Sequence, residues 1–295
     1  MLGFINLNKP EGWTSHDCVA RVRRILSTKR VGHGGTLDPS ATGVLPIAVG
    51  TATRLLQFLP TAKAYRATIR LGVQTTTDDL AGDVLETKSA AAVDLSQIMD
   101  ILPSFEGQIN QIPPIYSAIQ VNGQRLYKLA RQGETVQPEP RKVEIYQIKV
   151  IDWRIDHPDH PELTLQIDCG PGTYIRSIAR DLGELLHTGA TLACLVRTHS
   201  CGLDLRDSIS LEDLAQQALQ NHVQLIPPAQ VLTHLPKLPL AEGLARRWVQ
   251  GQAIALFPPV ADEWVQVQDD SARLLGVAHV LEGRLQPKVV LDGLS

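Results

Sequence analysis

The chain has 295 residues, of which 43% are hydrophobic, and a formal net charge of −3. This is the composition of an ordinary globular protein with room for one large domain, or for a large and a small one. No apolar run reaches the roughly 18 residues needed to cross a bilayer, and the N-terminus lacks the pattern of a secretion signal, so we expect a cytoplasmic protein without a membrane partner.

The first predicted elements are a strand and a helix. Residues 2–7 have the pattern of a short buried strand. The sequence Thr14-Ser15-His16-Asp17 is a capping box, which predicts that a helix begins directly after Thr14. Its core-facing stripe comprises Cys18, Val19, Val22, Ile25 and Leu26, and its basic outer face comprises Arg21, Arg23 and Arg24.

A glycine-rich loop follows at residues 32–39, Gly-His-Gly-Gly-Thr-Leu-Asp-Pro, and presents one carboxylate, Asp38. Its glycines allow tight turns and close approach by a ligand, and Pro39 biases Asp38 away from the helical region. The loop matches neither the P-loop nor the dinucleotide fingerprint, which disfavours a nucleotide cofactor. An Asp-Pro pair taken alone is more often a turn in which the aspartate caps the next residues.

Basic residues are concentrated around this loop. The first 70 residues contain ten lysines and arginines against three acids, Glu11, Asp17 and Asp38. Such a local excess can attract a polyanion although the whole chain is slightly acidic. A solvated basic surface without a ligand would account for the same charges.

Two further strands frame a second polar region. The alternation over Lys63–Leu71 predicts a strand whose apolar face includes Tyr65. A strand at 163–169 ends at a glycine turn, after which a helix carries Arg176 in its first turn. The helix dipole disfavours a cation there unless an anion compensates it, and Asp38 is the candidate partner. The alternatives are a core tyrosine and an ordinary surface arginine.

An insertion separates those two strands. Residues 112–118 lead into an Asn122-Gly123 turn and a short basic helix at 124–133 that includes Tyr127. We interpret the whole insertion, roughly residues 110–142, as an element that grips RNA. A solvated helix on an ordinary crossover would carry the same charge.

The chain changes character near its C-terminus. Residues 233–240 form a proline-marked stretch that we interpret as a linker. Four short apolar runs separated by polar turns then predict a small all-β barrel. The runs lie at 253–257, 264–267, 274–280 and 288–291.

The four cysteines carry no sign of a metal or redox site. They are Cys18, Cys169, Cys194 and Cys201. None belongs to a Cys-x-x-Cys pair, and no histidine stands at the spacing of a zinc site. We expect buried free thiols and no metal.

Six sequence blocks resemble those of one family, the bacterial tRNA pseudouridine-55 synthases of the TruB type. Any one block would be weak, but six in the family's order are highly specific. The resemblance runs nearly from end to end of the chain. The blocks are Asn8–Asp17, Gly32–Gly43, Lys63–Ala67, Pro113–Ala118, Leu126–Gly133 and Gly172–Arg176.

The resemblance implies an α+β fold. A catalytic domain with a mixed β-sheet and flanking helices is expected at residues 1–235, and a small PUA-like β-barrel that binds RNA at 236–295. The implied activity is the isomerisation of uridine 55 in the T loop of tRNA to pseudouridine, without a cofactor. The implied partner is the T stem-loop of tRNA, bound by a monomer that needs no metal.

The resemblance also implies roles for individual residues. The expected catalytic residues are Asp38, the nucleophile, Tyr65, which stacks on the flipped-out base, and Arg176, which pairs with the aspartate. The expected substrate-binding residues are His33, Tyr65, Tyr174, Leu195 and Lys9. Whether the aspartate attacks C6 of the base or C1′ of the ribose stays open.

The sequence departs from the family pattern at two places that concern RNA contacts. Gln120 stands where many relatives carry lysine, and Arg197 lacks the neighbouring arginine that is usual. Two other functions stay open on the residues alone: a non-catalytic RNA-binding or tRNA-folding protein, and a guide-dependent RNA pseudouridine synthase. The first would leave Asp38, Tyr65 and Arg176 without a shared purpose, and the lack of long basic tails disfavours the second.

Overall fold

A computed structural model describes residues 1–117, 120–121, 124–126, 138–258 and 261–291. The strands are β1 Gly3–Lys9, β2 Val31–His33, β3 Thr42–Val49, β4 Lys63–Leu71, β5 Val73–Thr75, β6 Val84–Thr87, β7 Gly107–Gln111, β8 Gln120–Val121, β9 Gln124–Arg125, β10 Arg141–Arg154, β11 Glu162–Cys169, β12 Ala190–Ser200, β13 Leu203–Asp204, β14 Lys237–Leu240, β15 Ile254–Ala255, β16 Trp264–Asp269, β17 Leu274–Leu281 and β18 Arg284–Val290. The α-helices are α1 Ser15–Ile25, α2 Leu95–Ile101, α3 Ile175–Leu185, α4 Leu211–Leu219, α5 Pro228–Val231 and α6 Glu242–Val249, and 3-10 turns lie at Gly50–Phe58, Leu102–Phe105 and Leu205–Asp207.

The chain folds into two compact units. The first combines Met1–Pro39, Gly43–Pro60 and Ser200–Ser295, and the second combines Ser40–Thr42 and Thr61–His199. The N-terminal segment and the C-terminal tail therefore belong to the same unit, although they are far apart in the sequence.

In the first unit, α1 lies against a small antiparallel arrangement of strands. Strand β1 pairs with β3 from Gly3 opposite Val49 to Lys9 opposite Gly43, and β2 pairs with the second half of β3. The predicted apolar stripe of α1 packs into the core against residues of β1 and β3. The predicted capping box is confirmed, since Thr14 Oγ1 accepts the Asp17 N–H at 3.1 Å and Asp17 Oδ2 accepts the Thr14 N–H at 3.0 Å.

The C-terminal residues of this unit form a five-stranded sheet in the order β14-β16-β17-β18-β15. The four predicted apolar runs are confirmed as strands, and Trp248 of α6 is fully buried in their core. The prediction of a linker at 233–240 was wrong in part, because Lys237–Leu240 is a strand that pairs in parallel with β16. Pro239 is compatible with it because β14 is an edge strand, where a missing backbone N–H is tolerated.

The second unit is built on strands in the order β12-β4-β11-β10-β7, and the pairs β4–β11, β11–β10 and β10–β7 are antiparallel. The strand predicted at Lys63–Leu71 is confirmed, and so is the helix that begins after Tyr174. In the insertion, β8 and β9 pair on either side of residues 122–123. The prediction that a helix begins at residue 124 was wrong, because Gln124–Arg125 is strand β9, which is held by its pairing with β8. The predicted Asn122-Gly123 turn itself, and residues 127–133 of the predicted helix, lie outside the described residues.

Helix α3 approaches the start of β12 so closely that it needs a glycine. A Cβ atom on Gly183 would lie 2.1 Å from the Ala190 backbone nitrogen and 2.3 Å from the Gly189 carbonyl carbon. The Gly183 carbonyl also accepts the N–H groups of Thr188 and Gly189, at 3.1 and 3.0 Å. The glycine thus fixes how α3 meets the sheet.

We expect Gly183→Ala to lower the free energy of unfolding by about 2 kcal/mol, because the backbone must move to admit the methyl group. Gly243→Ala is the matched control in α6, where no atom lies within 4 Å of the new Cβ. That change should raise stability by up to about 1 kcal/mol through helix propensity. Chemical denaturation measures both, and equal stability of the two variants would contradict the packing argument.

Candidate active site

The loop that carries Asp38 connects β2 to β3 in the first unit. Asp38 is half-buried and follows the buried residue Leu37. The Leu37 N–H donates to Ser15 Oγ at 2.9 Å, and the same hydroxyl donates to the Leu37 carbonyl at 3.3 Å. The first residue of α1 therefore holds the backbone directly before the candidate nucleophile.

A buried lysine holds the other side of the same loop. Lys9 is fully buried, and its ammonium donates to the carbonyls of Pro10 at 2.9 Å, Trp13 at 2.7 Å and Pro39 at 3.1 Å. The Pro39 carbonyl also accepts the Gly12 N–H at 2.8 Å. Residues on both sides of Asp38 are thus bonded to the segment between β1 and α1. A substrate-binding role for Lys9 stays a prediction.

His33 is the last residue of β2 and is half-buried. Its Nδ1 accepts the Gly35 N–H at 3.3 Å, so the neutral ring carries its proton on Nε2. The ring lies edge-on to that of His16, with 5.8 Å between centroids. The expected role of His33 in binding the substrate also stays a prediction.

A shallow basic pocket lies next to this loop in the first unit. Its volume is about 460 Å³, and its lining includes Arg23, Lys29, Arg30 and Gly32. The three cations are exposed on the surface, and for Arg23 this confirms the predicted outer face of α1. Such a pocket can hold an anionic oxygen, such as one of a phosphate.

The second unit contains the remaining predicted site residues. Tyr65 lies on β4 opposite Ile167 and is only 7% exposed, and Leu195 lies on the neighbouring strand β12 and is also buried. Tyr174 is half-buried and is the N-cap residue of α3. Arg176 follows in the first turn of that helix.

Arg176 is buried, with 5% of its surface exposed, and is therefore not the surface arginine of the alternative interpretation. Its Nη1 donates to the Thr77 carbonyl at 3.1 Å and its Nη2 to the Tyr116 carbonyl at 3.0 Å. Its Nε lies 3.8 Å from Asp79 Oδ2. Asp79 is an anion that can compensate for a cation at the start of α3. Pairing of Arg176 with Asp38 stays a prediction.

A second arginine of α3 holds the same turn. Arg180 donates to Asp78 Oδ2 at 3.1 Å and to the Ile112 carbonyl at 2.9 Å, and pairs with Asp181 at 2.7 Å. Burial raises the pKa of both Asp78 and Asp181, and the Arg180 guanidinium opposes that rise. The turn at residues 77–79 and the segment that begins at Ile112 are therefore both fixed to one helix.

The sequence did not indicate Asp79 or Gln111 as parts of this region. The polar run Thr75–Asp79, which begins at the last residue of β5, was the only local signal, and it is equally typical of a surface turn. Gln111 ends β7, is fully buried, and bonds to the backbone of Tyr174. Neither relation has a signature in the neighbouring sequence, because each joins segments that are far apart along the chain.

Three of the four cysteines are buried. Cys18, Cys169 and Cys201 are buried free thiols as expected, whereas Cys194 is exposed, which corrects the expectation for that residue. Burial raises the pKa of Cys18 and of Cys169 to about 11, which leaves both as neutral thiols at pH 7.

Two parts of the chain match known protein families. Residues 23–175 match the TruB family pseudouridylate synthase N-terminal domain, and residues 236–291 match the C-terminal part of pseudouridine synthase II TruB. The chain belongs to the TruB family. The predicted family resemblance is thereby confirmed.

Several known proteins are similar to this chain along its whole length. It is 53% identical to "tRNA pseudouridine synthase B" of Trichormus variabilis, with 100% of both chains covered. It is 55% identical to the protein of the same name from Gloeothece citriformis, over 99% of this chain and 98% of the relative. The corresponding Synechocystis protein is 53% identical, over 99% and 100%.

Solved structures confirm the predicted α+β fold of the TruB chain. A Cbf5-Nop10-Gar1 complex contains a chain that is 27% identical, with a TM-score of 0.71 over 99% of this chain and 84% of that chain. An H/ACA RNP bound to a substrate RNA that contains 2'-deoxyuridine contains one that is 24% identical, with a TM-score of 0.72 over 99% and 85%, and this likeness concerns the fold alone. The C-terminal sheet of the TruB chain is the PUA-like part of that fold.

Two features are absent from the part of the chain that the structure describes. Among the residues that the structure describes, no helix is long and apolar enough to cross a membrane. In the same described part of the chain, no group of three or more histidines, cysteines and acids is arranged to hold a metal ion.

The carbonyl contacts of Lys9 lead to a stability prediction. Lys9→Met keeps the aliphatic stem but leaves three carbonyls without this donor, and we expect a loss of about 3 kcal/mol in the free energy of unfolding. Lys29→Met, at an exposed position, is the control and should change stability by less than about 0.5 kcal/mol. Urea denaturation measures the free energy of unfolding of both variants. A similar loss for the two would show that the hydrogen bonds of Lys9 do not stabilise the loop.

Proposed function

We propose that this protein converts uridine 55 in the T loop of tRNA to pseudouridine. The observation that carries the proposal is the identity of 53% over the whole of both chains to a protein named tRNA pseudouridine synthase B. The location of Asp38 on a loop held on both sides is consistent with it, since a nucleophile must be held in a fixed geometry.

The chemistry that we propose centres on the Asp38 carboxylate. The carboxylate attacks the target uridine to form a covalent adduct, the glycosidic bond from N1 is broken, and a bond from C5 to C1′ forms in its place. The bond to Asp38 then breaks, C5 loses its proton, and N1 takes up a proton. Substrate and product are isomers, so the reaction consumes no oxidant, reductant or second substrate. A side-chain carboxylate is a competent nucleophile for such a covalent intermediate. We propose accordingly that the enzyme uses no cofactor and no metal.

The target base must leave its stack before the carboxylate can reach it, at a cost of about a few kcal/mol. We propose that Tyr65 stacks on the extruded base, and that His33, Tyr174, Leu195 and Lys9 help to hold the nucleotide. Stacking of a base on an aromatic ring contributes about 1 to 3 kcal/mol, which can offset that cost. The position of Tyr65 on strand β4 supports this role, because the strand fixes the backbone from which the ring extends.

We propose that Arg176 is the cation that keeps Asp38 ionised and oriented. Its contacts with two carbonyls fix the guanidinium, which supports a role as a preorganised positive charge. Asp79 then acts as a positioning residue, because it lies 3.8 Å from the guanidinium on the Nε side.

RNA affinity is proposed to come from several surfaces. The basic pocket at Arg23, Lys29 and Arg30 is suited to phosphate contacts, which supply affinity and register rather than base identity. The insertion at roughly 110–142, within a catalytic domain at 1–235, would grip the T stem-loop, and the PUA-like domain at 236–295 would bind another part of the tRNA. We propose that a monomer acts in the cytoplasm.

Two other functions lead to different results in one assay. A non-catalytic tRNA-folding protein would bind RNA without isomerising uridine, and a guide-dependent synthase would need a guide RNA and accessory proteins. The relatives named tRNA pseudouridine synthase B cover the full chain, which favours an enzyme that acts on tRNA itself.

The test of function uses an unmodified T-arm stem-loop with tritium at uridine C5. The purified protein alone should release the label, and Asp38→Asn should lower the rate by at least about a thousandfold, because it removes the nucleophile. Asp100→Asn, at an exposed position of α2, is the control and should retain the wild-type rate.

Binding of the same RNA is measured in parallel by fluorescence anisotropy. Asp38→Asn should bind within about threefold of the wild type, since affinity is proposed to reside in phosphate contacts. An Asp38→Asn protein that releases tritium at the wild-type rate would refute the assignment of the nucleophile. A wild type that binds but releases none would favour the folding protein.

The contact of Asp79 with Arg176 leads to a separate prediction. Asp79→Asn keeps an oxygen for the Thr77 hydroxyl and the Ala81 N–H but removes the charge beside the guanidinium. We expect kcat to fall about tenfold, because a small displacement of the catalytic groups is costly. Asp83 lies in the same hairpin region and is exposed, so Asp83→Asn is the control and should leave kcat unchanged. Equal rates for the two variants would show that Asp79 does not position Arg176.

A further inference from the structure

Gln111 makes an unusual pair of contacts. The residue ends β7 and is fully buried. Its Nε2 donates to the Tyr174 carbonyl at 3.1 Å, and its Oε1 accepts the Tyr174 N–H at 2.8 Å. One side-chain amide therefore holds both backbone groups of a single residue that lies 63 positions further along the chain.

Burial of an amide is unfavourable unless its groups are hydrogen-bonded, and here both groups of the Gln111 amide are bonded to Tyr174. The amide imitates the pairing of a neighbouring strand, at a place where the backbone has left the sheet and is about to enter a helix. This geometry fixes the position and the orientation of the peptide groups of Tyr174. Both contacts are made by the backbone of Tyr174, so neither of them involves the tyrosine ring.

The residues that follow Tyr174 hold the segment that follows Gln111. Ser177 Oγ and Arg180 Nη2 donate to the Ile112 carbonyl at 2.8 and 2.9 Å, and Arg176 Nη2 donates to the Tyr116 carbonyl at 3.0 Å. Contacts thus run in both directions between the start of α3 and residues 111–116. Gln111 lies at the beginning of this set, at the point where the chain leaves β7 for the insertion.

We propose that Gln111 is a positioning residue for the isomerisation, which it serves by fixing the backbone of Tyr174 and hence the side chains of Tyr174 and Arg176. The inference rests on the proposed function of those two residues. Gln111 itself does not touch the uridine. Its loss therefore affects the rate of the chemical step more than the affinity for RNA.

A purely structural role of Gln111 leads to a different prediction. Substitution of Gln111 would then lower the stability of the protein but leave kcat of the folded fraction unchanged. A second buried glutamine offers a matched comparison: Gln266 in the C-terminal sheet is fully buried, and its Nε2 donates to the carbonyls of Leu232 at 2.9 Å and Leu235 at 3.1 Å. It has the same side chain and also holds backbone, but it lies in the other compact unit.

The experiment compares Gln111→Met with Gln266→Met in the full-length protein. Methionine keeps the length of the side chain and removes the amide. Tritium release from the T-arm stem-loop gives kcat and KM, at a temperature at which circular dichroism shows both variants to be folded. We expect kcat of Gln111→Met to fall by about tenfold or more with KM within about twofold of the wild type. For Gln266→Met, kcat should stay within about twofold.

Three outcomes overturn the inference: an unchanged kcat for Gln111→Met, a loss that appears in KM alone, or an equal loss of kcat for Gln266→Met. If Gln111→Met does not fold, Gln111→Asn decides, because it keeps the amide but shortens the side chain by one methylene, so that the amide no longer lies where it bonds to both backbone groups of Tyr174. Its kcat should also fall, and a wild-type kcat would refute the proposal. A wild type that releases no tritium would instead refute the proposed function.

Discussion

A buried cation must be surrounded by acceptors, and this requirement organises both parts of the candidate site. Removing a charged group from water costs several kcal/mol unless it is paired and hydrogen-bonded. Arg176 is 5% exposed and Lys9 is fully buried. Backbone carbonyls accept hydrogen bonds from both, so the segments that supply those carbonyls have little freedom to move. The charge fixes the loops, and the loops keep the charge out of water.

The proposed nucleophile Asp38 lies on a loop without regular structure, and the helix that carries Arg176 begins directly after such a segment; both segments are held by contacts with distant parts of the chain. Ser15 and Lys9 bond to the residues on either side of Asp38. In the second unit, Gln111 holds the residue from which α3 begins. A loop held in this way is as well defined as a strand, although its sequence shows no periodicity.

The sequence predicts what depends on neighbouring residues. The capping box at Thr14 and the strand alternation over Lys63–Leu71 were predicted correctly because each is a local pattern. The strand at Lys237–Leu240 was not predicted, because a short segment with a proline becomes a strand only through its pairing with β16. Asp38 and Arg176 were indicated by resemblance to a family, whereas Asp79 and Gln111 depend on contacts across more than 60 positions, to which local patterns are insensitive.

Polar groups that hold a backbone contribute more to geometry than to stability. A buried hydrogen bond adds only about 1 kcal/mol net, because the same groups bond to water in the unfolded chain. A displacement of about 1 Å in a catalytic group can cost about a hundredfold in rate. A buried amide that fixes the start of a helix therefore has a small effect on whether the protein folds and a large effect on whether the helix presents its arginine correctly. Under the proposed function, the residues that hold Arg176 therefore affect the reaction rate together with the arginine itself.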